Sequence, residues 1–297
     1  MESVVVSQGA STAQSEASPA GASLPDSPLV VIEPRGFWLN LGLRDVWAYR
    51  ELLYFLTWRD VKVRYKQTVL GVVWVILQPL LTTIILAIFL GKLARVPSNG
   101  FPYPVFVCAG LLVWTFFSAA ITSGSNSLVG SSHLVTKIYF PRMIVPAAAV
   151  GARVVDFVIG FLNLIGLMIY YSVGITKSIV VLPIVMIIVI LLALAVGMWA
   201  AALNVKYRDV GVVMPVLIQL WMFASPVVYP SKIVPARYAW IYRLNPLTGI
   251  LDGFRAAVFG QQIDWTALGI STAFTIAVLI YSAYAFRRME KHFADLL

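Results

Sequence analysis

Residues 179–203, IVVLPIVMIIVILLALAVGMWAAAL, pass 25 positions without one charged side chain. An α-helix rises 1.5 Å per residue, so about 20 apolar residues cross the roughly 30 Å hydrocarbon core of a bilayer. The stretch therefore reads as a transmembrane helix. Working outward, five further runs reach the same length, at 69–94, 103–122, 146–171, 210–229 and 266–286, giving six expected spans. Loop punctuation separates them: Pro97, Asn99, Gly100 and Pro102 after the first, 174–178 after the third, and 204–209 after the fourth.

The whole composition agrees. The chain has 297 residues, 60% hydrophobic and 12% charged, against about 45–50% and 25% in ordinary soluble domains. A water-facing surface needs far more charge than this, which excludes a soluble globule. The net charge of +9 fits basic flanks at the cytoplasmic face better than a nucleic-acid surface. With the N-terminus inside, Arg59, Lys62, Arg64, Lys66, Lys137, Arg142, Lys206, Arg208, Arg287, Arg288 and Lys291 fall on the cytoplasmic side, eleven against seven outside. Both termini are then expected in the cytoplasm. A single cysteine, Cys108, and two histidines, His133 and His292, leave no disulfide and no His/Cys metal site to expect.

Residues 1–34 carry acidic but no basic side chains in a Ser/Ala/Gly/Pro-rich background, so a disordered tail is expected there. A basic n-region and a continuous apolar h-region are both missing, which argues against a secretory signal peptide. Residues 35–68 form the approach to the membrane domain, 69–297. Within that approach, 44–66 has helix-forming composition with no proline or glycine. At 100° per residue Arg59, Lys62 and Lys66 share a face, and Trp47, Tyr54 and Trp58 suit the headgroup layer. The helix is either an anchor on anionic lipid or a lever touching a cytoplasmic partner.

Between the second and third spans, 130–146 is too polar to cross and is broken by Pro141 and Pro146, so a short cytoplasmic helix ending at Phe140 is expected. Inside the third span, Arg153 and Asp156 stand at i,i+3, close enough to pair. Charges at that depth invite a functional reading, beside the plainer one of a self-neutralising pair. The segment 229–265 is broken by Pro230, Pro235 and Pro246, yet Leu247, Ile250, Leu251, Phe254 and Val258 recur at helical spacing. Two short re-entrant helices fit that pattern, and a helix lying on the membrane surface is the alternative. Asp252 and Arg255 are spaced to form an exposed pair along one of them. Aromatic side chains facing a pore, with Trp74, Trp114, Phe117, Trp221 and Tyr229 as candidates, would offer apolar faces to sugar rings.

No G-x-x-x-x-G-K-[ST] phosphate loop occurs, so the chain is not expected to hydrolyse ATP. Acidic residues beyond the approach segment are few, which disfavours a proton relay and a metal-dependent glycosyltransferase.

Four blocks carry a family resemblance: RELLYFLTWRDVKVRYKQTVLGVVWVILQPL at 50–80, LVTKIYFPRMIVP at 134–146, NVKYRDVGVVMPVLIQLWMFASPVVYP at 204–230 and NPLTGILDGFR at 245–255. Together they resemble the ABC-2-type permeases that export cell-surface polysaccharides such as O-antigen, capsule and teichoic acid. The likeness covers about residues 36–297, and the N-terminal tail has no counterpart. It implies an all-α, multi-pass protein of the bacterial inner membrane, without catalysis, cofactor or metal of its own. Two copies would pair with two copies of an ABC ATPase subunit that binds ATP and magnesium, and lipid-linked glycan would pass a channel at the permease dimer interface. The resemblance makes 44–58 an interface helix and 130–142 and 204–210 contacts to the ATPase. Arg59, Asp60, Lys62, Lys137, Phe140, Arg142, Tyr207, Arg208 and Asp209 are the coupling candidates. It makes 231–262 a pair of outer gate helices, with Asn245, Pro246, Leu247, Leu251, Phe254 and Arg255 as gate candidates. An ABC-2 exporter of a smaller lipid or drug, and an ion-coupled secondary transporter, are the competing expectations.

Overall fold

The computed structural model describes residues 43–66, 71–174, 176–291 and 293, and the tail expected at 1–34 lies outside them. The described residues are mostly helical, with no strand among them. In chain order the α-helices are α1 (Leu43–Ala48), α2 (Arg50–Lys66), α3 (Gly71–Leu86), α4 (Tyr103–Gly130), α5 (Ser132–Lys137), α6 (Ile144–Tyr170), α7 (Leu182–Lys206), α8 (Val210–Phe223), α9 (Ala239–Leu244), α10 (Pro246–Phe259) and α11 (Trp265–Glu290). Five segments are long and apolar enough to cross a bilayer: Val73–Leu93, Tyr103–Gly130, Ile144–Tyr170, Lys177–Lys206 and Trp265–Glu290. The first of them continues past α3 as a π-helical stretch, Ala87–Leu93.

Helix α4 is the axis of the bundle, packed by α3, α6, α7, α8 and α10. Small residues let the helices close on it. Gly124 faces Gly197 of α7, and an added Cβ on Gly124 would lie 3.2 Å from the Gly197 Cα. Two apolar clusters stack along the bundle. One joins the first half of α4 to α6, α7, α8 and α10, and the other gathers Leu56, Leu128, Val135, Phe140, Ile144, Val205, Phe286 and Phe293. The second cluster marks the end of the bundle where Lys137, Arg142, Lys206, Arg208, Arg287 and Arg288 congregate in sequence. It is called the basic end below.

The fifth apolar run departs from its expected form. Instead of a full span over 210–229, α8 stops at Phe223 after 14 residues, about 21 Å of helix. Pro226 lacks an N–H and disfavours helical backbone in the residue before it, so the helix does not continue through the apolar residues that follow. The chain nevertheless runs most of the length of α4. Gly211 N–H donates to Asn204 near the basic end, whereas Tyr103 at the start of α4 donates its hydroxyl to the Val228 carbonyl.

The two short helices before α11 are unlike each other. Trp240, Ile241 and Leu244 of α9 are exposed, but every residue of α10 except Asp252 is buried. A surface-lying helix is thereby overturned for α10. Its stripe of Leu247, Ile250, Leu251 and Phe254 is backed by Gly249, Gly253, Ala256 and Ala257, small enough to admit neighbours on the other face. A Cβ on Gly249 would meet the Ala267 carbonyl oxygen and the Ser271 hydroxyl at 2.4 Å.

Candidate functional site

At the basic end, the expected coupling residues divide into exposed and anchoring groups. Helix α5 ends at Lys137, after which Ile138 and Tyr139 stand exposed, Tyr139 at 82%. Phe140, expected to face a partner, instead packs into the second core cluster. Arg142 is likewise a tie. Its guanidinium donates to the Glu290 carbonyl at 2.7 Å, its backbone N–H donates to the Glu290 carboxylate at 3.3 Å, and it lies over the Phe293 ring. Tyr207, Arg208 and Asp209 are exposed, with Lys206 over the Tyr207 ring. On α2, Arg59 and Asp60 bond to each other at 2.9 Å, and Lys62 extends over the Trp58 ring. The open surface of this end is thus Lys137–Tyr139 and Tyr207–Asp209, fixed from beneath by Phe140 and Arg142, with Lys62 exposed further along α2.

Helix α2 runs along α6 rather than standing apart from the bundle. A Cβ on Gly151 would lie 3.4 Å from the Thr57 hydroxyl, and one and a half turns further on the Asp156 carboxylate receives Arg64 and Tyr65. The expected i,i+3 pair forms, Arg153 reaching Asp156 at 3.2 Å. Arg153 also donates to the Ser123 hydroxyl of α4 at 2.7 Å. One carboxylate therefore joins α2 and α6, and through Arg153 it reaches α4.

The opposite end holds the expected gate residues. Asn245 caps α10 by accepting from Leu247 N–H, accepts from the Trp221 indole, and donates to the Ala224 carbonyl and Ser225 hydroxyl. Pro246 opens the helix and Gly260, with φ of 71°, closes it in the left-handed region. Leu247, Leu251 and Phe254 are fully buried core residues. Arg255 corrects the expected exposed pair with Asp252. Only 3% exposed, its guanidinium donates to the carbonyls of Pro226 and Val227 at 2.7 and 2.5 Å and lies 3.9 Å from the Phe106 ring centroid. Burial pulls it below the usual arginine range, to about 10, which leaves it cationic at neutral pH. Burial pushes the Asp252 carboxyl up, against a Ser231 hydrogen bond and the Arg255 charge. Tyr242, also raised by burial, donates to the Tyr229 hydroxyl, which donates to the Phe223 carbonyl. Hydrogen bonds thus clasp the segment 223–229 to α9, α10 and α4.

The five aromatic candidates do not line one surface. Trp114 and Phe117 are core, Phe117 meeting Trp221 edge to face, because the first half of α4 is sheathed by its neighbours. Trp221 and Tyr229 are half-buried in the clasp, and Trp74 alone among the five has an exposed ring.

A model of the ABC-2 type transporter family matches residues 51–259, from the start of α2 to the end of α10. The chain belongs to the ABC-2 type transporter family. It is 28% identical over 256 residues to the O-antigen export system permease protein RfbA of Myxococcus xanthus, covering 85% of this chain and 98% of that protein. A Klebsiella pneumoniae protein of the same description is 25% identical, covering 83% and 95%. The polysialic acid transport protein KpsM of Escherichia coli is 24% identical, covering 78% and 91%.

In this ABC-2 transporter, sequence reasoning missed a polar strip on the second half of α4. Thr115 and Asn126 are exposed and Ser118 and Thr122 half-buried, where the rest of the helix is largely sealed. Their spacing of three, four and four residues puts them on one face over about 16 Å, a signal open to sequence inspection. The hydroxyls of Thr115 and Thr122 donate back to Leu112 and Ser118 carbonyls, and the Asn126 amide donates to Thr122. The two threonine hydroxyls keep oxygen lone pairs, and the Asn126 amide, whose Oδ1 accepts from Asn204, keeps a second N–H.

Proposed function

We propose that this chain is the permease subunit of an ATP-driven exporter that moves lipid-linked polysaccharide across the bacterial inner membrane. The carrying observation is the ABC-2 match across α2 to α10 together with relatives named for O-antigen and polysialic acid export. The chain crosses the membrane six times with both termini in the cytoplasm, the fifth crossing made by α8 and the clasped 223–229 segment. The basic end faces the cytoplasm, and its open surface receives a separate ATPase subunit that binds ATP and magnesium.

Two copies assemble. Two apolar faces support this. Only 6% of the most apolar window of Val73–Leu93 is buried in the single chain, and Val212, Val213, Val216, Leu217, Leu220 and Phe223 of α8 are exposed. In this reading the α4 strip lines the path at the interface between copies. Its hydroxyls and amide offer acceptors and donors to hydroxyl groups, which a glycan carries along its whole length and an acyl chain does not. That chemistry favours a polysaccharide over a smaller lipid or drug as cargo. The α9–α10 pair closes the outer end.

Deleting the gene should leave lipid-linked glycan inside the inner membrane and remove the polymer from the cell surface, with both restored by the gene in trans. Normal surface glycan in the deletion strain would refute the proposal.

A further inference from the structure

Helix α2 is held by apolar contact near its start, where buried Leu56 and half-buried Leu52 and Leu53 pack into the second cluster. Its other firm hold on α6 is polar and lies at its far end. Arg64 and Tyr65, 92 and 91 positions from Asp156 in sequence, both donate to that carboxylate, and Arg153 is the third donor. Neutralising Arg153 needs one carboxylate and nothing more. Here two guanidiniums and a phenol converge on one carboxylate, and Arg153 continues to Ser123, the neighbour of Thr122 on the polar strip. Apolar helix faces slide over one another with little directional penalty, whereas a charged, multiply bonded junction holds one geometry.

We propose that Asp156 is the positioning residue that makes α2, α6 and α4 move as one body, carrying nucleotide-driven motion from the cytoplasmic surface to the polar strip of the transport path. This rests on the export function proposed above. The carboxylate contacts no cargo. It fixes the two helices that would otherwise slip, so that displacement of α2 by an ATPase subunit reaches α4 in full.

The test uses the permease with its ATPase subunit in proteoliposomes containing lipid-linked glycan, measuring polymer moved and ATP hydrolysed. Asp156→Asn keeps the shape of the side chain and removes its charge. We expect export per ATP to fall at least tenfold while hydrolysis changes less than twofold, with Asp156→Glu recovering much of the coupling. The double variant Arg64→Gln with Tyr65→Phe removes the α2 arm and leaves Arg153 with its counter-charge, so it guards against misfolding of the Asn variant and should uncouple likewise. A second readout is independent of cargo. Spin labels at Tyr54 on α2 and Val158 on α6, both exposed, should keep one distance with and without ATP in the parent and a broadened or shifted one in the variants. Unchanged distance distributions, or export and hydrolysis lost in equal proportion, would overturn the proposal. A parent complex that moves no glycan would count against the export function instead, and the label distances would still decide the role of Asp156.

Discussion

Substituting Gly110 with alanine tests whether the clasp at the outer end is as tight as it stands. A Cβ at this position would lie 2.1 Å from the Val227 carbonyl oxygen and 2.4 Å from an Arg255 Nη, more than 1 Å inside an ordinary contact. Neither neighbour moves freely, because each holds the other: Arg255 donates to that carbonyl and to the one before it. If the clasp stays shut, the cost is overpacking, about 1–3 kcal/mol. If it opens, two hydrogen bonds from a buried cation are lost, at about 1.5–3 kcal/mol each. Alanine returns about 1 kcal/mol through helix propensity, so the net loss is roughly 0–2 kcal/mol if the clasp stays shut and roughly 2–5 kcal/mol if it opens. Gly166→Ala is the control, since an added Cβ there has nothing within 4 Å and should be neutral or slightly stabilising. The assay is thermal loss of the monodisperse peak of the purified permease in detergent. Gly110→Ala should fall several degrees below parent and Gly166→Ala should not. Equal behaviour of the two variants would show that 226–228 does not press on α4.

At the basic end, Tyr139→Ala should lower transport-coupled ATPase activity at unchanged membrane abundance, whereas Phe140→Ala, emptying a core site at about 3–5 kcal/mol, should lower abundance itself; quantitative blotting beside the coupled assay separates them. Asn245→Ala removes a helix cap and three further hydrogen bonds, a loss of about 2–4 kcal/mol, and should make the 223–245 segment cleavable by protease added from the outer side, where the parent resists. Reporters active only outside the inner membrane should stay silent at both chain ends, and a signal from either end would refute the six-crossing topology.

Five of the six expected spans were legible because a run such as 179–203 admits one reading in lipid, and the Arg153–Asp156 pair because three residues of helix bring the two together. Sequence did not show that Arg64 and Tyr65 join that pair, since nothing local links positions more than 90 apart. The fate of α10 was hidden for another reason. Its leucine and phenylalanine stripe looks one-sided until Gly249, Gly253, Ala256 and Ala257 are seen as openings for α11 and α7 rather than as neutral filler. Asp252 and Arg255 satisfied the spacing rule for a surface pair, but the Pro226 and Val227 carbonyls, left without helical partners beyond the end of α8 at Phe223, took the guanidinium instead. Phe140 and Arg142 stood in a polar loop and so looked outward, although the C-terminal end of α11 lies directly against them. The α4 strip was legible in principle and was masked by the aromatic residues of the same helix, which proved to be core.

The central claim is that this chain is the passive, glycan-conducting half of an ATP-driven exporter. Inverted inner-membrane vesicles carrying lipid-linked glycan test it most directly, with protection of the polymer from an added glycan hydrolase as the readout of translocation into the lumen. We expect protection to require this permease, the separate ATPase subunit and ATP with magnesium together, and to survive collapse of ion gradients by an uncoupler. Protection without the ATPase subunit, or its disappearance with the uncoupler while ATP hydrolysis continues, would contradict the claim and point to ion-coupled transport.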